Sequence, residues 1–204
     1  DWRIGLYGSH DNGTWKTQGL LSYGQNRYDF NRYIPYYGDK LSSDYNANIF
    51  DVDAKVTYLP QENRAKSWQV APYGRLSYTH ASQGAYTEEG SSVFAQDMDS
   101  ASNSSFRAEV GVEWKHQMDK TSSWGGSVGY KRILSGANPE LNGTFVGDAN
   151  GFTLSGDNDK NYVTYSVNLN KNTGNNWTVQ GELRGEMSGH NHSEVYSLMA
   201  KHAF

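Results

Sequence analysis

The sequence contains no cysteine, only four prolines and no long apolar run. Without cysteine, neither a disulfide framework nor a thiolate metal site can form. No stretch approaches the ~18 consecutive apolar residues that a membrane helix needs, and no signal-peptide pattern opens the chain. If this chain crosses a membrane, it must therefore cross it with strands.

An excess of one charge sign is also missing. The formal net charge is -4, and lysine and arginine are scattered along the chain, so we expect no nucleic-acid partner. Only 36% of residues are hydrophobic and the mean hydropathy is -0.80, yet 14% are aromatic, with 15 Tyr and 6 Trp. This aromatic content is too high for a disordered polar chain. A folded structure must order these rings.

Apolar and polar residues alternate with a period of two in segment after segment. Between residues 106 and 115 the apolar side chains hold the even positions, while most odd positions carry a charge. The same alternation predicts nine strands, at 2–10, 14–28, 48–59, 67–80, 105–117, 123–134, 160–171, 176–188 and 193–204. An antiparallel sheet with one apolar face and one charged face follows.

The predicted connections alternate in length. Those at 11–13, 60–66, 118–122 and 172–175 are short, whereas those at about 29–47, 81–104 and 135–159 are long. Bacterial outer-membrane barrels have this arrangement, with short periplasmic turns and longer extracellular loops. The pattern predicts an all-β, antiparallel transmembrane barrel with about nine strands.

Tryptophan placement supports the barrel. Five of the six tryptophans stand beside a short turn on the apolar parity, and we expect them to form an aromatic girdle: Trp15, Trp68, Trp114, Trp124 and Trp177. A soluble sandwich is the alternative. Its core would normally use more Ile, Leu and Val than Tyr and Trp, and it has no reason to gather indoles at one end.

The polar parity is predicted to face an aqueous lumen. The candidate lumen-lining residues are Lys16, Asp51, Asp53, Lys55, Arg75, Arg107, Glu109, Glu113, Lys131, Glu182, Arg184 and Glu186. Both charge signs are present, which is typical of a hydrated channel. Glycines on the same face, at Gly5, Gly24, Gly111 and Gly129, would let Tyr7 or Tyr73 lie across a neighbouring strand.

The C-terminal segment resembles a known signal. Its alternate residues Tyr196, Leu198, Ala200, His202 and Phe204 resemble the terminal-strand signal of outer-membrane proteins, although His202 stands where an aromatic residue is usual. The stretches APYGRLSYTH at 71–80, TEEG at 87–90 and FRAEVGV at 106–112 resemble the autotransporter β-domain family, over nearly the whole chain.

This resemblance implies a twelve-stranded barrel with a helix in the pore. The nine strands would be the fourth to twelfth, and residues 1–204 would form a single translocator domain without the first three strands and the helix. Such a domain anchors in the outer membrane and helps to export an N-terminal passenger, without a cofactor. Its partners would be outer-membrane lipid, the passenger polypeptide and the barrel-assembly machinery, which would pair with an open edge in an assembly intermediate.

Two clusters could suggest chemistry. His190 and His192 lie near Glu194, but two imidazoles without a third ligand of fixed spacing do not predict a metal. Asp51 and Asp53 could mimic the carboxylates of an omptin-like outer-membrane hydrolase, yet their parity places them in the lumen. No nucleophile elbow or phosphate loop is present, so we predict no enzyme. An omptin-like hydrolase and a simple diffusion porin are the alternatives.

Overall fold

The computed structural model describes residues 1–90, 92–156, 158–174 and 176–202. Its elements, in chain order, are β1 Trp2–Asp11, β2 Trp15–Ile34, β3 Asp39–Tyr58, α1 Gln61–Arg64, β4 Trp68–Gln83, β5 Tyr86–Thr87, β6 Gln96–Met98, β7 Ala101–Gln117, β8 Ser122–Ser135, β9 Glu140–Phe145, β10 Gly151–Ser155, β11 Asn161–Gly174, β12 Trp177–Met187 and β13 His192–His202. None of the helices in these ranges is long and apolar enough to span a membrane.

Nine long strands form one antiparallel sheet in the order β1-β2-β3-β4-β7-β8-β11-β12-β13. Strands that follow each other in this order are also consecutive long strands of the sequence. The sheet curls into a half-barrel. The all-β class and the nine-strand count are therefore confirmed. Within the described residues, neither β1 nor β13 pairs with a strand on its outer side.

The long connections were wrongly predicted as loops. The β2–β3 hairpin pairs continuously from Trp15 and Tyr58 out to Ile34 and Asp39, so the segment 29–47 is almost entirely strand. The connections at 81–104 and 135–159 contain β5, β6, β9 and β10, which form a second, four-stranded sheet in the order β10-β9-β6-β5. We call the hairpin extension (residues 29–44) together with this small sheet the loop-end cap.

The large sheet buries polar side chains on its concave face and exposes apolar side chains on its convex face, which is the reverse of the usual arrangement in a soluble protein. On the concave face Ser22, Thr57, Tyr73 and Tyr162 are buried. The apolar side chains of the convex face, such as Val110, are instead exposed. No second layer of described residues covers the convex face, so the apolar parity does not form a soluble sandwich core.

The loop-end cap has a small core of its own. Leu41 is fully buried, and Ala95 and Met98 are nearly so. The backbone of Ser42 on β3 pairs with that of Glu89, which follows β5, and this bridge joins the two sheets. The cap is thus an ordered structure at the end of the half-barrel opposite the short turns.

Candidate functional site

The concave face carries a network of polar contacts that begins at β1. Arg3 contacts Asp51 on β3 at 2.5 Å, and its guanidinium also donates to the Ser22 hydroxyl at 2.9 Å. The second oxygen of Asp51 accepts a hydrogen bond from the Thr79 hydroxyl at 2.7 Å. Arg107 on β7 in turn donates to Thr79. The Asp51 carboxylate therefore joins side chains from four neighbouring strands, and Thr79 extends the network to a fifth.

Two further carboxylates continue the network. Asp53 accepts hydrogen bonds from Arg75 Nε at 2.6 Å and from the Ser77 hydroxyl at 2.5 Å. Glu109 accepts hydrogen bonds from the hydroxyls of Tyr73, at 2.6 Å, and Thr164, at 2.8 Å. Since Tyr73 is on β4 and Thr164 on β11, Glu109 ties together strands that are three apart in the sheet.

Two lysines reach carboxylates across an intervening strand. Lys55 on β3 pairs with Glu113 on β7, and Lys131 on β8 pairs with Glu186 on β12. Lys55 also lies 4.2 Å from the ring centre of Tyr73. A concave surface favours contacts that skip a strand in this way, because side chains converge on it.

Glycines make room for Tyr73. A Cβ atom at Gly111 would lie 2.7 Å from the Tyr73 hydroxyl oxygen, and one at Gly129 would lie 2.6 Å from it. The prediction that Tyr73 lies across neighbouring glycines is confirmed. For Tyr7 the prediction is wrong, because the space at Gly5 and Gly24 is bordered by β2 and β1 atoms and Tyr7 instead bonds to Gln18.

The structure brings most of the candidate lumen residues into one cavity of about 490 Å³ on the concave face. Its lining includes Asp51, Asp53, Lys55, Arg75, Arg107, Glu109, Lys131, Glu182, Arg184 and Glu186. Arg184 is paired with Glu182 at 2.8 Å. Lys16 lies apart, at the turn end, opposite Asp11 and Thr57 in the ladders of β2.

A belt of aromatic rings runs across the strands on the convex face, at the turn end of the sheet. Trp15 packs on Tyr58 with ring centres 4.8 Å apart, and Trp177 lies 4.8 Å from His202. Trp68 lies 4.4 Å from His116 and 5.4 Å from Trp124. Trp114 covers Gly126, where a Cβ atom would approach its ring to 2.6 Å. The five tryptophans of the predicted girdle thus share one face and one end of the sheet.

A second set of aromatic residues lies at the loop end of the convex face, and it includes four tyrosines. Each tyrosine hydroxyl donates to a polar side chain on another strand, in the pairs Tyr23 to Asn48 at 3.0 Å, Tyr78 to Ser104 at 3.2 Å, Tyr130 to Asn161 at 2.6 Å and Tyr165 to Glu194 at 2.6 Å. The sequence pattern places these rings on the apolar parity, but it does not indicate their polar partners, since these depend on strand register.

The distance between the tryptophan belt and the loop-end tyrosines can be compared with the height of the apolar band of a membrane barrel. Along β2, β4 and β8 the tryptophan and tyrosine are eight, ten and six residues apart, which is about 20–33 Å along a strand. A strand tilt of about 40° reduces this to roughly 15–25 Å of height, against an apolar band of about 25 Å in outer-membrane barrels. The spacing on β4 thus matches the height of this band, and those on β2 and β8 are shorter than it.

The predicted assembly signal lies on β13. Tyr196, Leu198 and Ala200 stand opposite Leu183, Gly181 and Val179, on the convex parity. His202 stands opposite Trp177. Tyr196 and Leu198 are 72% and 82% exposed. Phe204 lies outside the described residues.

The histidines at the loop end contact carboxylates. His190 Nδ1 lies 3.3 Å from Asp159, and His192 Nε2 lies 3.3 Å from Glu194. Among the described residues, no group of three or more His, Asp and Glu side chains is arranged to hold a metal ion. Asp51 and Asp53 are each engaged by an arginine.

Comparisons with known proteins agree on one family. The family model described as autotransporter beta-domain matches residues 1–184. The fold is similar to the translocator domain of the autotransporter NalP from Neisseria meningitidis, with a TM-score of 0.76 at 14% identity. That match covers 99% of this chain and 66% of the NalP chain, slightly less than two thirds. No curated protein matches the sequence.

Proposed function

The chain belongs to the autotransporter β-domain family, and we propose that its concave face is the wall of an aqueous pore through which an N-terminal passenger polypeptide is exported. The chain is an outer-membrane translocator barrel of type V secretion. We propose in addition that the passenger passes along this wall, that individual residues have the roles described below, and that the chain has an assembly partner.

The chemistry of the concave face suits an unfolded polypeptide. Its cations are largely matched by anions on the same wall, as in the pairs Arg3–Asp51, Lys55–Glu113 and Lys131–Glu186. Because these charges compensate each other, the wall holds no strong field of one sign that would trap a charged segment. Hydroxyls, carboxylates and water can instead exchange hydrogen bonds with a passing backbone.

The two aromatic belts support contact with outer-membrane lipid. Tryptophan and tyrosine favour the headgroup level, where the ring is in an apolar setting and the polar atom meets water. The tyrosine hydroxyls of the loop end already have polar partners such as Asn48 and Asn161, as such a boundary requires.

The observation that carries the proposal is the reversed exposure of the two faces. Apolar side chains are uncovered on the convex face and charged ones are partly buried on the concave face. The test is export of the full-length parent protein in a Gram-negative host, followed by protease digestion of intact cells. The segment upstream of the barrel should become cleavable from outside. A segment that stays protected while the barrel is inserted in the membrane would refute the export role.

In the described part of the chain, β1 and β13 are the two outermost strands of the large sheet, and this position favours a further partner strand. In a bilayer each unsatisfied backbone group costs several kcal/mol, so an open sheet is not stable there on its own. We propose that further strands close these edges, and that during insertion a strand of the barrel-assembly machinery pairs with one of them. Cysteine pairs between positions along β1 and Ser197 on β13 test this. A direct β1–β13 disulfide in the inserted protein would show that nine strands close by themselves.

A further inference from the structure

The loop-end cap contains an aromatic cleft that neither the pore nor the membrane accounts for. The cleft, of about 730 Å³, is lined by Arg32, Tyr33, Ile34, Pro35, Tyr36, Tyr37, Phe94, Gln96 and Phe145. Tyr36 is 98% exposed, and Tyr33 and Tyr37 are about two-thirds exposed. Tyr37 packs against Phe94 with ring centres 5.2 Å apart. Exposed aromatic patches of this kind mark interaction sites.

The membrane cannot cover this cleft. Tyr33 lies ten residues beyond Tyr23 of the loop-end tyrosine belt on the same strand, which places it about 33 Å further along the strand. At a strand tilt of about 40° this is roughly 25 Å above the edge of the apolar band. The rings are therefore exposed to the external medium.

The cleft offers ring faces and not charge. Arg32 is held by Glu88 through two hydrogen bonds, at 2.9 and 2.5 Å, and also donates to the backbone carbonyl of Phe94 at 2.7 Å. The Glu88 side chain is only 4% exposed. With its one cation neutralised, the lining of the cleft has no free charge for an ionic ligand, and its remaining polar groups are three tyrosine hydroxyls and the Gln96 amide. Apolar side chains of a polypeptide fit it better, because tyrosine-rich loops bind such segments with little loss of entropy.

One strand connects the aromatic cleft to the mouth of the pore. At its start, β9 contributes Glu140 and Leu141 to a second cleft of about 460 Å³, whose opposite wall includes Ala47, Ile49 and Ala81. At its end, Phe145 lines the aromatic cleft. Ile49 has the same parity on β3 as Asp51, so the second cleft lies at the loop end of the concave face. Phe145 lies four to five residues beyond Glu140 and Leu141, so the two clefts are about 13–17 Å apart along β9.

We propose that the aromatic cleft binds an extended segment of the exported polypeptide through its apolar side chains as that segment leaves the pore mouth. The inference rests on the proposed export function and extends it by naming an exit site. Binding there would hold the emerging chain close to the barrel while its next segments arrive.

Photo-crosslinking in cells tests the contact directly. A photo-crosslinking amino acid replaces Tyr36 in the full-length parent protein, and a matched control carries it at Asn31, which is exposed on the same hairpin but does not line the cleft. During export, position 36 should crosslink to the upstream part of its own chain, and position 31 should not. Crosslinks at position 36 to lipopolysaccharide sugars or to a second copy, or no crosslink at all, would overturn the proposal.

Substitution tests the consequence. Replacing Tyr33, Tyr36 and Tyr37 together by serine should slow the appearance of the passenger at the cell surface several-fold, while replacing all three by phenylalanine should not. An Asn31→Ser, Lys40→Ser double variant of the same hairpin is the control for folding. If the unaltered protein exports no passenger, the proposed function fails. If it exports normally and the serine variant is equally fast, the exit site alone fails.

Discussion

Tyr73 shows how single residues shape the concave wall. Its ring crosses β7 and β8 above Gly111 and Gly129, and its hydroxyl donates to Glu109. The residue is only 8% exposed although the surrounding wall is polar. Tyr73 therefore packs across two strands and fixes the position of the Glu109 carboxylate. This packing depends on the absence of side chains at Gly111 and Gly129.

The Gly111→Ala substitution should destabilise the barrel. The new Cβ would lie 2.5 Å from the carbonyl oxygen of Val128 and 2.7 Å from the Tyr73 ring, so backbone or ring must shift. We expect a loss of about 1–3 kcal/mol in the free energy of unfolding, measured by urea titration of the refolded protein in micelles. Gly74→Ala is the matched control, since nothing lies within 4 Å of that position. Equal effects of the two changes would show that Tyr73 is not clamped.

The Lys131–Glu186 pair gives a second test at this scale. The Lys131 side chain is only 12% exposed. Lys131→Met should therefore cost about 1–3 kcal/mol, because it leaves a partly buried carboxylate without its cation. Adding Glu186→Gln should recover part of that loss in the same urea titration. Purely additive losses would mean that the two side chains do not interact.

At the scale of single residues, sequence alternation predicted which side chains share a face but not which of them touch. Glu109 and Thr164 are far apart in the chain and not on adjacent strands, so their contact depends on the curvature of the sheet. The parity rule contains no information on curvature. For the same reason the polar partners of the loop-end tyrosines could not be foreseen.

Among the elements, strand prediction succeeded where apolar and polar residues alternate along the chain. It failed in the loop-end cap, where β2 continues to Ile34 and the small sheet forms. Outside a membrane both faces of a strand can be polar or packed against a neighbour, so the period of two weakens. Tyr, Pro and Gly at 33–38 then look like a loop, although the hairpin turn occupies only 35–38.

The cap should unfold separately when its buried ion pair is broken. Glu88→Gln removes the charge that holds Arg32, at an expected cost of about 1–3 kcal/mol, because the Arg32 side chain left without its partner is 31% exposed. We expect faster proteolysis within residues 84–100. The mobility of the folded, unheated barrel in SDS gel electrophoresis should be unchanged. Glu89→Gln is the same change one residue on, at an exposed position, and should have no effect. Loss of the barrel itself in Glu88→Gln would show that cap and barrel fold together.

The connection before β11 should respond to acid. Hydrogen bonds from the Ser188 hydroxyl and from the backbone and ring of His190 lower the pKa of Asp159 below its ordinary value. The lowered pKa means that the contacts of the ionised carboxylate stabilise the folded state at neutral pH. This stabilisation is lost as the carboxyl is protonated below about pH 4. Hydrogen exchange at the His190 amide should therefore rise below that pH. In Asp159→Asn the exchange should be independent of pH in this range, after correction for the intrinsic rate.

For the whole molecule, the proposed function depends on lipid meeting the convex face and water meeting the concave face. Val167 and Asn168 are neighbours on β11 that lie on opposite faces. Val167 is exposed on the convex side opposite Gly126 and Leu183, while Asn168 stands opposite Glu182 on the concave side. The two positions share strand, depth and backbone environment, so they differ mainly in the medium that their side chains meet.

Lysine at these two positions should therefore have opposite consequences. Val167→Lys places a charge near the middle of the apolar band and should cost about 2–4 kcal/mol of stability in lipid vesicles. Asn168→Lys should cost little, because water and the nearby Glu182 accommodate the cation. Urea unfolding of both variants from vesicles measures the difference. A larger penalty at Asn168 than at Val167 would mean that the faces are reversed, and the pore would then have no aqueous wall.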